Sequence, residues 1–312
     1  MIKLLFTGGG GAGNEAIYRL LADRYECHFA DADPSAIDDA IPFDKRHTIP
    51  FAHDVEFEKI VASLCCRLGV DLLVPGVDEE LPNMASISRA VPAMKILAPD
   101  SAFIAQMSDK LLMIQALESA GLTSPKTFQA NDRPLVSFPA IAKPRNGRGS
   151  RGVRVLTSEA ELDAYLLLEG FNAEEIILQE VGYGTEYTVQ MIADFHGVLR
   201  AVVPVEVEIK RGITLRAKTV KNSVVESACQ AIHAAYPTVG CYNIQLMLTD
   251  DGRVLPFEIN PRVSTTFCLC VAAGVDPIAI FLGLTQNIDE MVDFRVGAKL
   301  CRYWRNSFST MQ

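Results

Sequence analysis

The chain has 312 residues, of which 49% are hydrophobic and 21% are charged, and its formal net charge at pH 7 is -9. This length is enough for two or three domains with cores of their own. An acidic chain has no overall positive field to hold a nucleic-acid backbone, so local groups must bind any anionic ligand. No apolar run reaches membrane-spanning length, and the eight cysteines lack the spacing of a zinc site or a disulfide framework. We therefore expect a cytoplasmic protein, with neither nucleic acid nor a membrane as partner.

Residues 1 to about 98 alternate between short apolar runs and amphipathic segments. Such alternation is typical of a parallel sheet covered by helices on both faces. The predicted strands are 2–7, 26–30 and 71–75, and the predicted helices are 14–24 and 54–68.

The first loop of this region, Gly8–Gly13, matches the G-x-G-x-x-G pattern of a dinucleotide site. Asp31 follows at the end of the second predicted strand, roughly where an acid that binds a ribose would lie. However, a glycine loop that enters a helix offers backbone N–H groups and a positive dipole end to any anion, including a substrate carboxylate. A nicotinamide site is therefore one interpretation of the loop, and an anion site of another kind is the alternative.

A second segment begins near Pro99. Its first predicted helix starts at 108–110, with Ser108 as the amino-terminal cap, and ends at Gly121. Strands are then predicted over 138–143, 153–156, 176–180 and 186–193, with a helix over 158–168.

The hairpin between residues 139 and 157 is rich in glycine and positive charge. Gly147, Gly149 and Gly152 lie between its strands, and its N–H groups and side chains can fold over phosphates. The pattern is not a Walker loop, because it lacks the Gly-Lys-Ser/Thr ending and leads into a strand. An ordinary solvated hairpin is the other interpretation. The hairpin has no acidic residue and five basic ones: Lys143, Arg145, Arg148, Arg151 and Arg154.

The pair Asp251-Gly252 predicts a two-residue turn between two further strands. With that turn Asp250 faces Arg253. Counting outward, two pairs lie on one face of the hairpin, Gln245 with Glu258 and Asn243 with Asn260. Carboxylate and amide oxygens suit Mg²⁺, although a solvated polar face explains the pattern equally well. The opposite face is predicted to carry Ile244, Leu246, Leu248, Leu255, Phe257 and Ile259.

Four of these features occur in one characteristic order. They are Lys110 at a helix start, Lys143-Pro144 before the glycine-rich hairpin, 178–182 before 184–189, and Gln245 followed by 258–262. In this order they resemble the ATP-grasp superfamily, and the run 260–264 in particular resembles the nucleotide site of the carbamoyl-phosphate synthetase large chain. The resemblance covers nearly the whole chain, as a single synthetase-like unit, because residues 1–98 also look like the domain that precedes the grasp.

The resemblance implies an α/β protein in which a Rossmann-like parallel-sheet domain precedes a two-subdomain ATP-grasp α+β fold. The implied domains are 1–98 for the preceding domain, 99–182 for the first grasp subdomain with its glycine-rich flap, and 183–312 for the second, with a metal site. ATP and Mg²⁺, or Mn²⁺, are the implied cofactors.

The resemblance also implies roles for individual residues. The phosphates would meet Lys110, Lys143, Arg148, Gly149 and Ser150. The adenine edge would meet Glu180 and the backbone of Val181 and Gly182, and the ribose would meet Glu186. The metal ligands would be Gln245, Glu258 and Asn260. Arg262 and Lys143 would be catalytic, with Arg262 facing the transferred phosphoryl group or the substrate carboxylate.

The activity implied is an ATP-dependent ligase that activates a carboxylate as an acyl phosphate and passes it to an amine or another nucleophile. The partners would be these small molecules, and a homodimer is an allowed assembly. A kinase that stops at the phosphorylated carboxylate or carbamate is an alternative within the same fold. From other classes, the alternatives are a nicotinamide-dependent dehydrogenase that uses Gly8–Gly13 and a nucleotide sensor without turnover.

Overall fold

The computed structural model describes residues 1–132, 135, 137–147, 149–285 and 290–303. Its first layer is a parallel sheet of five strands in the order β3-β2-β1-β4-β5, as the alternation predicts. The elements are β1 (Lys3–Thr7), α1 (Asn14–Leu21), β2 (Glu26–Asp31), β3 (Arg46–Thr48), α2 (Phe57–Leu68), β4 (Leu72–Val74), α3 (Met84–Ala90) and β5 (Lys95–Ile96).

The second layer is a four-stranded antiparallel sheet in the order β6-β9-β7-β8, here called the flap sheet. The glycine-rich hairpin joins its strands β7 and β8. The elements of this part of the chain are α4 (Ser101–Ser108), α5 (Lys110–Ser119), β6 (Thr127–Gln129), β7 (Ala140–Pro144), β8 (Arg154–Leu156), α6 (Glu159–Glu169) and β9 (Ile176–Glu180).

The prediction that Ser108 caps the helix at Lys110 is wrong. Ser108 is the last residue of α4, and Asp109 caps α5 by accepting from the N–H groups of Leu111 and Leu112. Asp109 has the extended backbone of a cap residue, and its negative charge lies at the positive end of the helix dipole.

The third layer is a six-stranded sheet in the order β14-β13-β10-β11-β12-β15, in which all pairs are antiparallel. Its elements are β10 (Gly184–Ala193), β11 (Leu199–Arg211), β12 (Ile213–Thr219), α7 (Ser223–Ala235), β13 (Gly240–Thr249), β14 (Val254–Asn260), α8 (Phe267–Ala272), α9 (Pro277–Phe281) and β15 (Lys299–Cys301).

Two hydrophobic cores meet this third sheet on different sides. One joins it to the parallel sheet, with Leu4 and Phe29 packed in the same cluster as Ile192, Phe267 and Phe281. The other is covered by α4, α5 and α7. The flap sheet has a smaller core of its own, formed with α6. The division at 98 and 182 remains a proposal, and the helices directly after residue 98 pack on the third sheet.

The β13–β14 hairpin differs from the prediction at its turn. Thr249, not Asp250, pairs with Arg253, with its N–H donating to the Arg253 carbonyl at 2.9 Å. The turn therefore has three residues, 250–252, and Gly252 takes the left-handed conformation that such a turn requires, with φ +85°. The prediction that Asp250 faces Arg253 is wrong.

A β-bulge at Phe257 restores the predicted register farther along the hairpin. Leu246 pairs with Pro256, but the next pair is Gln245 with Glu258, which leaves Phe257 as the extra residue. The predicted pairs Gln245–Glu258 and Asn243–Asn260 are confirmed, because the longer turn and the bulge offset each other. The prediction that Leu255 and Phe257 belong to the core face is wrong: both line a cavity on the other face.

Candidate active site

Two adjoining cavities lie where the three layers meet. The cleft cavity, of about 500 Å³, lies between the flap sheet and the β13–β14 hairpin. The loop cavity, of about 560 Å³, lies between the Gly8–Gly13 loop and the far end of the same hairpin. The two cavities share a boundary formed by Arg151, Lys210, Gly212, Gln245 and Glu258.

Lys143 extends from β7 into the floor of the cleft cavity. It is 5% exposed, and its Nζ donates to Gln179 Oε1 at 2.9 Å and to the Phe257 carbonyl at 3.0 Å. The bulge explains the second contact, because the extra residue of a bulge is released from the strand ladder. Burial lowers the pKa of Lys143 to about 7; Glu258 opposes this shift, and Lys110 and Lys210 add to it.

Lys110 lies at the first position of α5 and is also buried. Its Nζ is 3.0 Å from Glu258 Oε1 and donates to the Gly147 carbonyl at 3.0 Å. The preceding residue, Asp109, caps the helix and forms an ion pair with Arg145 at 2.9 Å. The start of α5 is thus fastened to the base of the flap, which fixes the position of Lys110.

A third lysine, Lys210 on β11, completes the cationic group. Its Nζ is 2.5 Å from Glu186 Oε1 and 3.0 Å from Gln245 Oε1. The sequence did not identify Lys210 as a site residue. Strand β11 is 13 residues long and changes register twice against β12, so strand alternation does not predict on which face the Lys210 side chain lies. Two further basic residues, Arg216 and Lys218, lie on the neighbouring strand β12. Lys218 pairs there with Glu206 at 2.8 Å.

The Glu258 carboxylate lies in the positive electrostatic field of all three lysines. Burial alone would raise the pKa of its carboxyl, but Lys110, Lys143 and Lys210 together hold that pKa below its usual value. The described residues contain no cluster of three or more His, Cys, Asp and Glu side chains suited to a metal. One carboxylate with the neighbouring amides of Gln245 and Asn260 instead fits Mg²⁺, which takes most of its ligands from water and phosphate.

Apolar side chains from the flap and from the β13–β14 hairpin also line the cleft cavity, and they are here called the apolar wall. It consists of Ile141, Val153, Met247, Leu255 and Phe257. Such a surface suits a flat aromatic ring. The Phe257 ring also lies below two ammonium groups, with its centroid 5.3 Å from Lys143 Nζ and 5.8 Å from Lys210 Nζ.

The strand that ends at Glu180 borders the same wall. Glu180 and Gly182 line the cavity, with Val181 between them in the chain, and Glu186 lines it farther along. The Glu180 carboxylate accepts from the Lys126 N–H at 3.0 Å and pairs with Arg253 at 3.3 Å.

The flap residues lie along the top of the cavities. Ser150 lines the cleft cavity, Gly149 lines the loop cavity and Arg151 lines both. Gly149 and Ser150 both have positive φ, +69° and +57°, which turns the chain sharply at this point. The predicted phosphate contact Arg148 lies outside the described residues.

Arg262 forms the floor of the loop cavity, together with Asn260. Its guanidinium makes a two-point contact with Asp78, from Nε to Oδ1 at 2.7 Å and from Nη2 to Oδ2 at 2.6 Å. The Asn260 side chain donates to the Asn243 side chain at 3.3 Å, next to the confirmed backbone pairing of these two residues. Sequence reasoning missed Asp78, since it is 184 residues distant and carries no local signal.

The glycine loop does not have the arrangement of a dinucleotide site. The Gly10 N–H donates to Asp31 Oδ2 at 2.9 Å, and the other oxygen of Asp31 accepts from the Asp33 N–H. Both oxygens of the Asp31 carboxylate therefore accept from backbone N–H groups, one of which belongs to the glycine loop. The loop's glycines allow close packing instead, because a Cβ at Gly10 would lie 2.5 Å from that of Ala36.

Residues 107–266 match the ATP-grasp domain family. The chain belongs to this family. The resemblance to the ATP-grasp superfamily and the predicted fold class are both confirmed.

Curated relatives and solved structures agree with this assignment. The chain is 23% identical over 297 residues to a carbamoyl phosphate synthase large chain of Rhodopirellula baltica, covering 86% of this chain and 27% of that protein. It is 26% identical to an uncharacterized protein of Sinorhizobium fredii, covering 74% of this chain and 51% of that protein. The chain thus spans between a quarter and a half of the length of these relatives.

The solved structures share the fold at low sequence identity. A carboxyaminoimidazole ribonucleotide synthase of Aspergillus clavatus complexed with ATP has a TM-score of 0.72 at 14% identity, covering 95% of this chain and 78% of that one. An L-amino acid ligase of Bacillus licheniformis has a TM-score of 0.67 at 16% identity, covering 90% and 73%. The biotin carboxylase domain dimer of a Hydrogenobacter thermophilus 2-oxoglutarate carboxylase, in complex with MgADP, ADP and bicarbonate, has a TM-score of 0.69 at 15% identity, covering 95% and 73%.

Among the described residues, no helix has the length and apolar character needed to span a bilayer.

Proposed function

We propose that the chain is an ATP-dependent ligase that joins a carboxylate to an amine or a related nucleophile. An oxygen of the carboxylate attacks the γ-phosphorus, the bond to the β-phosphate oxygen breaks, and ADP leaves. The nucleophile then attacks the acyl carbon, phosphate leaves, and the nucleophile loses its proton. Activation is needed because a carboxylate is a poor electrophile, and an enclosed site protects the acyl phosphate from water.

The observation that carries this proposal is the shared boundary of the two cavities. A ligase of this kind must bring a nucleotide and a carboxylate together at the transferred phosphoryl group. Gln245, Glu258 and Lys210 line both cavities, so a nucleotide in one and an acid in the other would meet at these residues. Phosphoryl transfer depends mostly on charge neutralisation and positioning, which fixed cations supply.

In the cleft cavity, the apolar wall at Phe257 would hold adenine, beside Glu180, Val181 and Gly182. Glu186 would accept from the ribose hydroxyls, since it lies between that wall and Lys210. The phosphates would lie on the ammonium groups of Lys110 and Lys143, under the flap with Gly149 and Ser150. When Lys143 is protonated, the three ammonium groups are bonded to two carboxylates among the described residues, Glu258 and Glu186, and the excess of positive charge suits a polyphosphate.

Gln245, Glu258 and Asn260 would hold Mg²⁺, or Mn²⁺, which would neutralise charge on the β- and γ-phosphates. In the loop cavity Arg262, held by Asp78, would face the carboxylate or the transferred phosphoryl group. The second substrate would approach along the Gly8–Gly13 loop. A homodimer and a cytoplasmic location complete the proposal, the former by analogy with the dimeric Hydrogenobacter domain.

The test is a screen of small carboxylates and amino acids, singly and in pairs with amines, for ADP release from MgATP. Glu258→Ala and Lys143→Ala should fold normally and lose substrate-dependent ADP release by at least about 100-fold, as expected when a charge-stabilising group is removed. Hydroxylamine should trap the acyl phosphate as a hydroxamate. Unchanged turnover in both variants would overturn the site assignment, and accumulation of a free phosphorylated acid in the presence of amines would favour a kinase.

A further inference from the structure

The proposed ligation needs a base in the loop cavity, because an amine must lose a proton before it attacks. In neutral water an alkylamine is mostly an ammonium ion, whose nitrogen has no lone pair to share. Arg151, Lys210 and Arg262 line this cavity, so a further ammonium group beside them is electrostatically disfavoured. A side chain of the cavity that accepts the proton would therefore favour the attack.

The four carboxylates among the described lining residues are already engaged. Both oxygens of Asp31 accept from backbone N–H groups, and the buried Glu80 accepts from a threonine hydroxyl. Glu258 forms an ion pair with Lys110 at 3.0 Å, and Glu79 also interacts with another residue. A carboxylate whose charged form is stabilised by donors of this kind is a weak base.

His53 lines the same cavity and differs from these carboxylates. The residue is exposed, and in the described part of the chain its ring has neither a hydrogen bond nor an ion pair. The ring stacks on that of Phe51, with a centroid distance of 5.7 Å and an angle of 11° between the planes. Stacking covers a face of the imidazole and leaves the nitrogens, which lie at its edge, free to bond to a ligand. An imidazole takes up and returns a proton near neutral pH, as a catalytic base must.

The segment that carries His53 is fastened at the edge of the parallel sheet. The Ile49 N–H donates to the Asp31 carbonyl at 3.1 Å, and the Ala52 carbonyl accepts from the Asn83 side chain at 3.2 Å. These bonds hold the backbone on the amino-terminal side of His53. The imidazole thus has a fixed attachment on the solvent side of the cavity, where a second substrate would enter.

We infer that His53 is the catalytic base that takes a proton from the amine substrate. The inference rests on the proposed function. An imidazole nitrogen accepts one proton from the ammonium ion, and the freed lone pair attacks the carbon of the acyl phosphate. The bond between that carbon and the phosphate oxygen then breaks, and the phosphate leaves with the electron pair. The phosphate takes the second proton from the nitrogen, and the imidazolium returns the first proton to water.

Hydroxylamine separates the base from the rest of the site, because it is uncharged near neutral pH and attacks without first losing a proton. The probes are the carboxylate and the amine that give most product in the screen above, and hydroxylamine in place of that amine, with saturating MgATP. His53→Gln should fold as wild type, since the ring is exposed. It should lower kcat for amide formation at pH 7 about 100-fold, at the lower end of what a general base contributes. Its rate of hydroxamate formation should equal that of wild type.

Two further measurements distinguish a base from a structural role. The loss in His53→Gln should shrink as the pH rises from 7 to 9, because more of the amine then enters without its extra proton. Added imidazole should restore part of the amide formation in His53→Ala. The matched control is His196→Gln, which should behave as wild type. His196 is also exposed and also lies against a phenylalanine ring, that of Phe195, but it lines a different cavity.

The possible outcomes separate this inference from the proposed function. Equal losses of amide and hydroxamate formation in His53→Gln, or full amide formation in that variant, overturn the role of His53 and leave the ligase intact. Hydroxamate formation by wild type without amide formation from any amine also overturns it, because the natural nucleophile would then be of another kind. If no carboxylate yields ADP or hydroxamate, the proposed function fails and the inference fails with it.

Discussion

Nucleotide affinity should depend on pH because of Lys143. Burial holds the pKa of this ammonium group at about 7, whereas a lysine in water titrates near 10.4. Above pH 7 the free protein therefore carries a neutral Lys143, and a bound phosphate favours its charged form. Binding MgADP must then take up a proton, so its affinity falls as the pH rises.

The magnitude follows from this lowered pKa. Each pH unit above 7 costs about 1.4 kcal/mol, as long as the pKa in the complex stays above the working pH. The Kd for MgADP should rise about 10-fold at pH 8 and about 100-fold at pH 9, relative to its value below pH 7. Calorimetry in two buffers of different ionisation enthalpy should show an uptake of about one proton per nucleotide at pH 8 to 9.

The control for this measurement is a lysine outside the site. Lys59→Met should keep the full pH dependence, because Lys59 is an exposed surface residue paired with Glu56. Lys143→Met should bind MgADP more weakly at pH 7 and lose the dependence between pH 7 and 9. A wild-type Kd that is constant over this range, or a slope of equal size in Lys143→Met, would refute the assignment of a neutral, buried Lys143.

Two further substitutions test other parts of the site. Lys210→Met should lower kcat by about 100- to 1,000-fold, because this ammonium group lines both cavities. The control Lys218→Met, on the adjacent strand, should leave kcat unchanged. Steady-state ADP release measures kcat in both variants, and equal losses would contradict the role given to Lys210. Phe257→Ala should raise KM for ATP about 10-fold by removing the ring from the apolar wall, and Phe257→Leu should recover most of this loss of affinity. Both variants keep the backbone carbonyl that Lys143 contacts. A loss of activity at saturating ATP would therefore argue against a wall function for Phe257.

The β13–β14 hairpin shows how far the sequence determines this site. The alternation of polar and apolar residues places Gln245, Glu258 and Asn260 on one face, and the structure agrees. The turn length and the bulge are not visible in that alternation, because each shifts the register by one residue and they offset each other. The prediction therefore places Leu255 and Phe257 on the wrong face of the hairpin, although it places Gln245, Glu258 and Asn260 on the face where the structure has them.

Other errors have local or long-range causes. The sequence could have identified Asp109 as the helix cap, since Asp is as good a cap as Ser. Asp109 also forms an ion pair with Arg145, which the prediction of Ser108 as the cap leaves out. The sequence could not have identified Asp78, because its ion pair with Arg262 depends on packing between distant parts of the chain. Local patterns thus identify residues that act from one hairpin or one helix start, and they miss partners supplied by another layer.

The packing of the layers suggests different mechanical properties for the two cavities. The loop cavity lies between the parallel sheet and the third sheet, which share one continuous hydrophobic core, so its walls should be held in place before any ligand binds. The cleft cavity lies between the flap sheet and the third sheet. In the described part of the chain, these two sheets have separate cores.

Polar contacts join the flap to the third sheet and to helix α5, which packs on the third sheet. They include Lys143 to the Phe257 carbonyl, Lys110 to the Gly147 carbonyl and Arg253 to Glu180. Such contacts can exchange one acceptor for another, unlike a packed core, so on the proposed function the flap sheet would move as a unit when phosphates replace carbonyl oxygens as acceptors for the lysines. On the proposed function, a fixed loop cavity would let the acid bind first, and closure of the flap sheet over a nucleotide in the cleft cavity would complete the site around the phosphoryl group.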